Sequence, residues 1–362
     1  MTSIKQIFST KKARWGCGLL AAYIFMVQLN MQADSMGYSW YKNVMERELL
    51  TTIDPISGAC DIGSPTADGN PSPEASTKTL LTSYPGSGKR FTWTLVKALT
   101  NSEVADDWNF SEKLNFDPLM VKTSFPHKEG TWSWGDTIDQ VILLVRNPRW
   151  AIPSYHNMRY ELDYAADWAS SYVRVPFTYT DRPAILNWLQ WRNANFGYEM
   201  NNWAYQIDFW MSGGFSRNLN ATNPLCTDNK IECTPVTIID FDNLYKTDAD
   251  GDFYRLSTAL ETSNNVPMVE ASIRECVATK VYERKDLHQG NRPTDTVIPS
   301  NYIFTANMFI RMLEVIDELR IKYAAEPWTN DPKAQHLVQV LNRYYDDIEP
   351  QKDYMLVHEG LV

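Results

Sequence analysis

The chain has 362 residues, 44% of them hydrophobic, which is enough for a real core and excludes wholesale disorder. A net charge of −10 and a pI near 5.1 exclude the dense Lys/Arg surface on which nonspecific nucleic-acid binding depends. One domain takes roughly 100–200 residues, or up to about 250 in α/β folds, so the length fits one large domain with appendages or two domains.

In chain order, residues 1–14 read as a cytosolic tail. Lys5, Lys11, Lys12 and Arg14 precede the apolar run Trp15 to Leu29, and Asp34 follows it. Positive charge ahead of the run predicts a cytosolic N-terminus and a body across the membrane. The run is short against the roughly 17–25 residues of a span. Two readings fit: a signal-anchor over 15–32 suited to a thin early-secretory bilayer, favoured by the charge asymmetry, or a cleaved signal peptide that leaves a secreted protein. Either puts the body where disulfides form. Cys17 lies in the run, leaving Cys60, Cys226, Cys233 and Cys276, which allow three connectivities; a local Cys226–Cys233 bridge is preferred. No CxxC pair or His/Cys cluster suggests a metal site. Asn109-Phe110-Ser111 and Asn220-Ala221-Thr222 are glycosylation sequons.

Residues 33–77 read as a flexible stem, because Asp54 to Thr77 is rich in Pro, Gly, Ser, Ala and Asp. The folded domain is expected over 78–362. Thr79–Tyr84, Leu119–Thr123, Gln140–Val145 and Val236–Phe241 read as buried strands. Lys89–Leu99, Ala184–Met211, Phe253–Glu261, Tyr302–Tyr323 and Ala334–Tyr345 read as helices. Alternating strands and helices predict an α/β fold, a three-layer αβα stack around a central, mostly parallel sheet. A ligand of such a sheet sits beyond the carboxyl ends of the strands.

At the end of the first strand stands Tyr84-Pro85-Gly86-Ser87-Gly88-Lys89-Arg90, followed by a helix. Two glycines let successive N–H groups turn inward as an anion nest, and the helix N-terminus adds positive potential. Lys89 and Arg90 add full charges, so Pro85, Gly86, Ser87, Gly88, Lys89 and Arg90 form a candidate P-loop-type phosphate-binding turn. A nucleoside-triphosphate loop reads GxxxxGK[ST], its hydroxyl holding Mg²⁺. Ser83 and Arg90 break that pattern, which disfavours a metal-assisted kinase. Further on, Val141–Val145 is followed by Arg146, an arginine costly to bury at a strand end without an anionic partner.

With the turn, this second segment resembles the sulfotransferase superfamily, most closely in the style of its membrane-anchored Golgi members. Those enzymes carry a YPxSG loop for the 5′-phosphosulfate and an LVRNP…S segment for the 3′-phosphate of 3′-phosphoadenylyl sulfate. Tyr84–Gly88 matches the first; Arg146 and Ser154, eight residues apart, match the second. Weaker echoes are Trp203 to Trp210, the strand Val236–Leu244 with its acidic end, and Arg284-Lys285 near Gly290 as a degraded RKG segment. The resemblance runs from Lys78 to Tyr323. It implies a lumenal, single-pass type II enzyme that transfers a sulfuryl group from this co-substrate, with no metal, to a hydroxyl or amine of a glycan, protein or lipid-like acceptor.

By that resemblance Arg146, Ser154, Arg284 and Lys285 join the turn in holding the nucleotide, while Lys89 and Lys122 stabilise the transferring group and leaving oxygen. Cytosolic members use a KTH histidine as base; here Lys122-Thr123-Ser124 has Ser124 in its place. His127 is the expected base, with Glu129 in reserve. Trp132 and Trp134, or Trp188 and Trp191, are candidates for stacking on a sugar or ring. Two rival readings are a lumenal nucleotide-dependent kinase and a noncatalytic binding protein that keeps the fold.

Overall fold

The computed structural model describes residues 79–100, 102, 104–107, 118–131, 140–170, 185–212, 236–244, 251–264, 268–283 and 304–361. The apolar run Trp15–Leu29, the stem, both sequons, Trp132, Trp134, Cys60, Cys226, Cys233, Arg284 and Lys285 lie outside them. Among the described residues no helix is long and apolar enough to cross a membrane. Cys276 is disulfide-bonded.

The chain divides into two compact units. One joins Met1–Ile53 to Arg159–Thr178; the other joins Asp54–Met158 to Tyr179–Val362. Of the first, only the helical backbone of Arg159–Ser170 is described. The second holds the sheet and the helices packed on it.

Its strands are β1 (Thr79–Thr82), β2 (Val104–Asp106), β3 (Met120–Thr123), β4 (Gln140–Val145) and β5 (Val236–Asp240). They lie in the order β2-β3-β1-β4-β5, and each neighbouring pair is parallel. The helices are α1 (Lys89–Thr100), α2 (Pro148–Ser170), α3 (Ile185–Met211), α4 (Asp252–Asn264), α5 (Ala271–Glu283), α6 (Ala306–Ala324) and α7 (Pro332–His358). This is the expected α/β class with a parallel sheet.

Each β4 residue is buried, as both faces of a covered parallel sheet require. Along the strands the side chains alternate between two packings. Leu80, Val121, Val141, Leu143, Val145, Val236 and Ile238 join one core with Trp203 and Ile207 of α3, Ile316 of α6 and Leu337 and Leu341 of α7. Leu81, Met120, Ile142, Leu144 and Ile239, the intervening residues, are no more than 1% exposed as well. Burial of each such side chain contributes about 1.5–3 kcal/mol, and this is why the runs form strands at all.

Four elements exceed the expectations from sequence: β2, α2 and α5 were not expected, and α7 is longer than expected. β2 is only three residues long. α2 begins at Pro148, where a missing N–H costs nothing because the first turn leaves it unbonded. α7 runs through Pro350 to His358 rather than ending near Tyr345. Asp346, four residues before Pro350, is exposed, so its released carbonyl is free to bond water, while Ile348 and Met355 stay buried on either side.

The register sets up the site. Thr82 of β1 lies beside Thr123 and Leu143, and Val145 lies beside Asp240. The segments leaving β1, β3, β4 and β5 therefore emerge at one end of the sheet. The chain passes from β3 on one side of β1 to β4 on the other, which makes the carboxyl end of β1 the topological switch point.

Candidate anion-binding site at the carboxyl end of the sheet

The turn after β1 is built around its glycines. Gly86 and Gly88 have φ of +83° and +90°, a region that side chains strongly disfavour. A Cβ on Gly86 would meet the Ala151 carbonyl and lie 2.6 Å from the Tyr155 nitrogen, so the turn rests directly on the first turns of α2. A Cβ on Gly88 would enter the Phe241 ring just after β5. Inside the turn the Ser87 N–H donates to the Tyr84 carbonyl at 3.2 Å, and Gly88 accepts from the Thr92 N–H as α1 begins.

Arg146 reaches this turn from the end of β4. It donates from Nη1 to the Gly86 carbonyl at 2.8 Å, and its guanidinium lies 4.9 Å from the centroid of the Phe241 ring. Its Nε makes no hydrogen bond, and Asp242 Oδ1 lies 3.8 Å from it. Ser87 is 1% exposed and its hydroxyl also lacks a hydrogen-bond partner. A buried hydroxyl without a partner is uncommon in a folded chain and calls for a physical reason. Ser154 of α2 borders the same turn, its carbonyl carbon 3.1 Å from the position of a Gly86 Cβ.

Lys89 folds back between the ends of β1 and β3, donating to the Ser83 carbonyl at 3.3 Å and to the Ser124 hydroxyl. Ser124, which stands where the resemblance would put histidine, is thus a neighbour of the turn. Arg90 is half-buried in the first turn of α1. Lys122 sits over the Trp93 ring of α1, 4.3 Å from its centroid.

A stripe of α3 holds the three strand ends in place. Glu199, Trp203, Gln206 and Trp210, spaced by three or four residues, share one helix face. The Trp203 indole N–H donates to the Arg146 carbonyl at 2.9 Å. Gln206 and Trp210 donate to the Phe125 carbonyl at 2.9 and 3.1 Å. Glu199 Oε2 accepts from the Tyr84 hydroxyl at 2.9 Å and faces His127 Nε2 at 3.2 Å. Burial pushes the Glu199 carboxyl up, but hydrogen bonds from His127, Tyr84 and Asn202 outweigh it and hold it below the usual range. Burial first, then Glu199, pushes the Tyr84 hydroxyl well above its ordinary value.

His127, the expected base, is enclosed in this network. It is 5% exposed, and its Nδ1 accepts the Glu129 N–H at 3.2 Å. Nε2 must then carry the proton it donates to Glu199. Both ring nitrogens are engaged, and its ring packs edge-on against Tyr84 and Tyr155. Glu129 is half-buried, with Oε1 accepting from the Tyr155 hydroxyl at 2.9 Å. Trp188 is fully buried and stacks on Trp191 at 5.8 Å, which gives Trp188 a packing role.

A second network lies behind Arg146. Asp240 accepts from Arg343 at 2.7 Å and Tyr344 at 2.6 Å, both on α7. Asp347 accepts from Asn147 Nδ2 at 2.9 Å and pairs with Arg149 at 3.2 Å. Asp252 accepts from Asn243 and His336, each at 3.0 Å. Nothing in the sequence marked Glu199, Arg343 or Tyr344. Asp240 and Asp242 were signalled only by the acidic end of the strand Val236–Leu244.

No family of proteins, no curated protein and no solved structure matches this chain.

Proposed function

We propose that the chain is a sulfotransferase that uses 3′-phosphoadenylyl sulfate, built as a three-layer αβα domain whose β1–α1 turn grips phosphate. The observation that carries this reading is the hydrogen bond from Arg146 to the Gly86 carbonyl, 2.8 Å long, which joins the two anion motifs at one end of the sheet. The unsatisfied Ser87 hydroxyl and Arg146 Nε are the donors that the nucleotide's phosphates would fit.

In this reading the turn from Pro85 to Arg90 holds the 5′ end, and Arg146 with Ser154 holds the 3′-phosphate. Arg284 and Lys285 are proposed to add to the cofactor site by resemblance alone. When bound, the co-substrate supplies a sulfuryl group whose S–O bond to phosphate breaks as one to the acceptor oxygen forms. Lys89, now bonded to Ser83 and Ser124, supplies positive charge to the leaving oxygen, with Lys122 in support. Because both His127 nitrogens are engaged, we assign the acceptor's proton to Glu129, held by Tyr155, and give His127 an orienting role. The acceptor is a hydroxyl or amine of a glycan, protein or lipid-like molecule in the Golgi lumen, reached from the N-terminal anchor.

The engaged histidine also favours a second reading, a noncatalytic protein that binds a nucleotide or partner through the same turn. Thermal melts of the full-length chain separate these readings. The desulfated product, 3′-phosphoadenosine 5′-phosphate, is expected to raise Tm where ATP with Mg²⁺ does not. Labelled sulfate should then pass to pooled glycan or lipid acceptors, and Glu129→Gln should stop transfer while keeping the thermal shift. Stabilisation by ATP–Mg²⁺ alone would point to the kinase; stabilisation by the nucleotide without transfer would point to the binding protein.

A further inference from the structure

Asp242 deepens the anion-site reading of Arg146, and its role rests on that reading. We infer that Asp242 is the resident counter-ion of Arg146, and that a phosphate binds Arg146 only as Asp242 takes up a proton.

The Arg146 guanidinium is pinned on two sides, by the Gly86 carbonyl and by the Phe241 ring. Its Nε, 3.8 Å from Asp242 Oδ1, is the edge left without a hydrogen bond. Asp242 Oδ2 is itself fixed, accepting the Asn147 N–H at 3.1 Å. A phosphate that bonds to Arg146 Nε therefore arrives against a carboxylate that is held in place.

The groups around Asp242 decide how that conflict resolves. From the end of β4 it faces Arg146 and the Asn147 N–H, from the end of β5 Asp240, and from α7 Asp347 and Tyr344. Asp240 is bonded by Arg343 and Tyr344, and Asp347 by Arg149 and Asn147. Asp242 draws on Arg146 and one backbone N–H. Asp242 keeps 35% of its side chain exposed, yet the protein crowded around its carboxyl is still the largest influence on it; Arg146 opposes that influence and Asp240 and Asp347 add to it, leaving the pKa at about 6. A phosphate on Arg146 adds another like charge and pushes that value higher. Above pH 6 binding is then accompanied by proton uptake, and affinity climbs as the pH falls towards 6. Below that, Asp242 is already neutral and the climb ends. Such a site loads more readily in a mildly acidic compartment than in a neutral one.

The test is titration calorimetry of the full-length chain with 3′-phosphoadenosine 5′-phosphate and, separately, inorganic sulfate, a dianion with no proton to gain in this pH range. It is run between about pH 8 and pH 6.5, above most of the titration of a phosphate's own second proton near 6. Buffers of different ionisation enthalpy give the protons taken up. The wild type is expected to absorb up to about one proton and to bind up to about tenfold more tightly per pH unit. Asp242→Asn, which keeps an acceptor for the Asn147 N–H, should bind more tightly at pH 8 and lose most of that slope and uptake. No uptake by the wild type, or the same slope in the variant, overturns the inference. The wild-type proton count holds even if the variant fails to fold. Linkage with sulfate but no binding of the nucleotide keeps the Asp242 role and removes the sulfotransferase reading. Nucleotide binding without uptake does the reverse, and binding of neither anion removes both.

Discussion

Two clusters at the same end of the sheet treat their polar groups in opposite ways. Around Glu199, the Tyr84 hydroxyl, His127 Nε2 and Asn202 converge on one carboxylate oxygen, and His127 Nδ1 is filled by a backbone N–H. In the turn and at Arg146, by contrast, the Ser87 hydroxyl and Arg146 Nε are buried without a hydrogen bond. Satisfied buried groups rigidify a fold, whereas unsatisfied ones cost stability unless a ligand completes them. Gln206 Oε1, Trp93 Nε1 and other buried atoms also lack a partner, so it is the place of Ser87 and Arg146 in the turn and at the end of β4, and not the missing bond alone, that sets the second cluster apart as the candidate site. The residue types alone suggest a base at His127; in the structure both its ring nitrogens have partners within the first cluster.

The largest effect should come from breaking the first cluster. Glu199→Ala leaves the His127 and Tyr84 donors buried without their acceptor and should cost about 2–5 kcal/mol in denaturant unfolding, at about 1–3 kcal/mol for each unsatisfied donor. Acid probes the same contrast without mutation. Glu199, held below the ordinary carboxyl value of 4.5, contributes stability that is present above that pH and lost below it, as its folded value is passed. Asp242 has the other sign. Raised from 3.8 to about 6, it takes up its proton earlier in the folded state, so its contribution improves as pH falls from 6 towards 4. A urea series across pH should show that gain before the loss.

Breaking the site should cost binding more than stability. Arg146→Ala should weaken 3′-phosphoadenosine 5′-phosphate by about 10–100-fold, the range of a lost charged hydrogen bond. Titration with unchanged affinity would remove Arg146 from the site. His127→Ala should lower Tm while leaving turnover per folded molecule within about twofold, since a group that moves no proton carries little of the barrier. A large fall in kcat at constant nucleotide affinity would restore it as the base. The smallest effect belongs to Ser87→Ala, which should weaken the nucleotide about fivefold, near 1 kcal/mol, with Tm the same or slightly higher.

Much of this was legible along the chain. The strands β1, β3, β4 and β5 show as short apolar runs, and the turn shows in two glycines followed by Lys89 and Arg90. Arg146 stands out as a cation directly after five apolar residues. Elements opened or crossed by proline were not legible. Pro148 and Pro350 suggest breaks, yet one sits where the helix has no bond to lose and the other releases a carbonyl at an exposed residue. Glu199 carries no local mark, because a glutamate inside a helix is ordinarily a solvated one.

What the sequence by itself determined is therefore local: which segments bury themselves, where glycine lets the backbone turn, and where cations follow a strand. These depend on neighbours a few residues away. Only the tertiary structure decided which of those polar groups are filled. Glu199 meets Tyr84 across 115 residues and Tyr344 meets Asp240 across 104, so their pairing waits on the packing of α3 and α7 against the sheet. A side chain's hydrogen-bonding state is set by what the fold brings to it, and so the roles of His127 and Asp242 became visible only there.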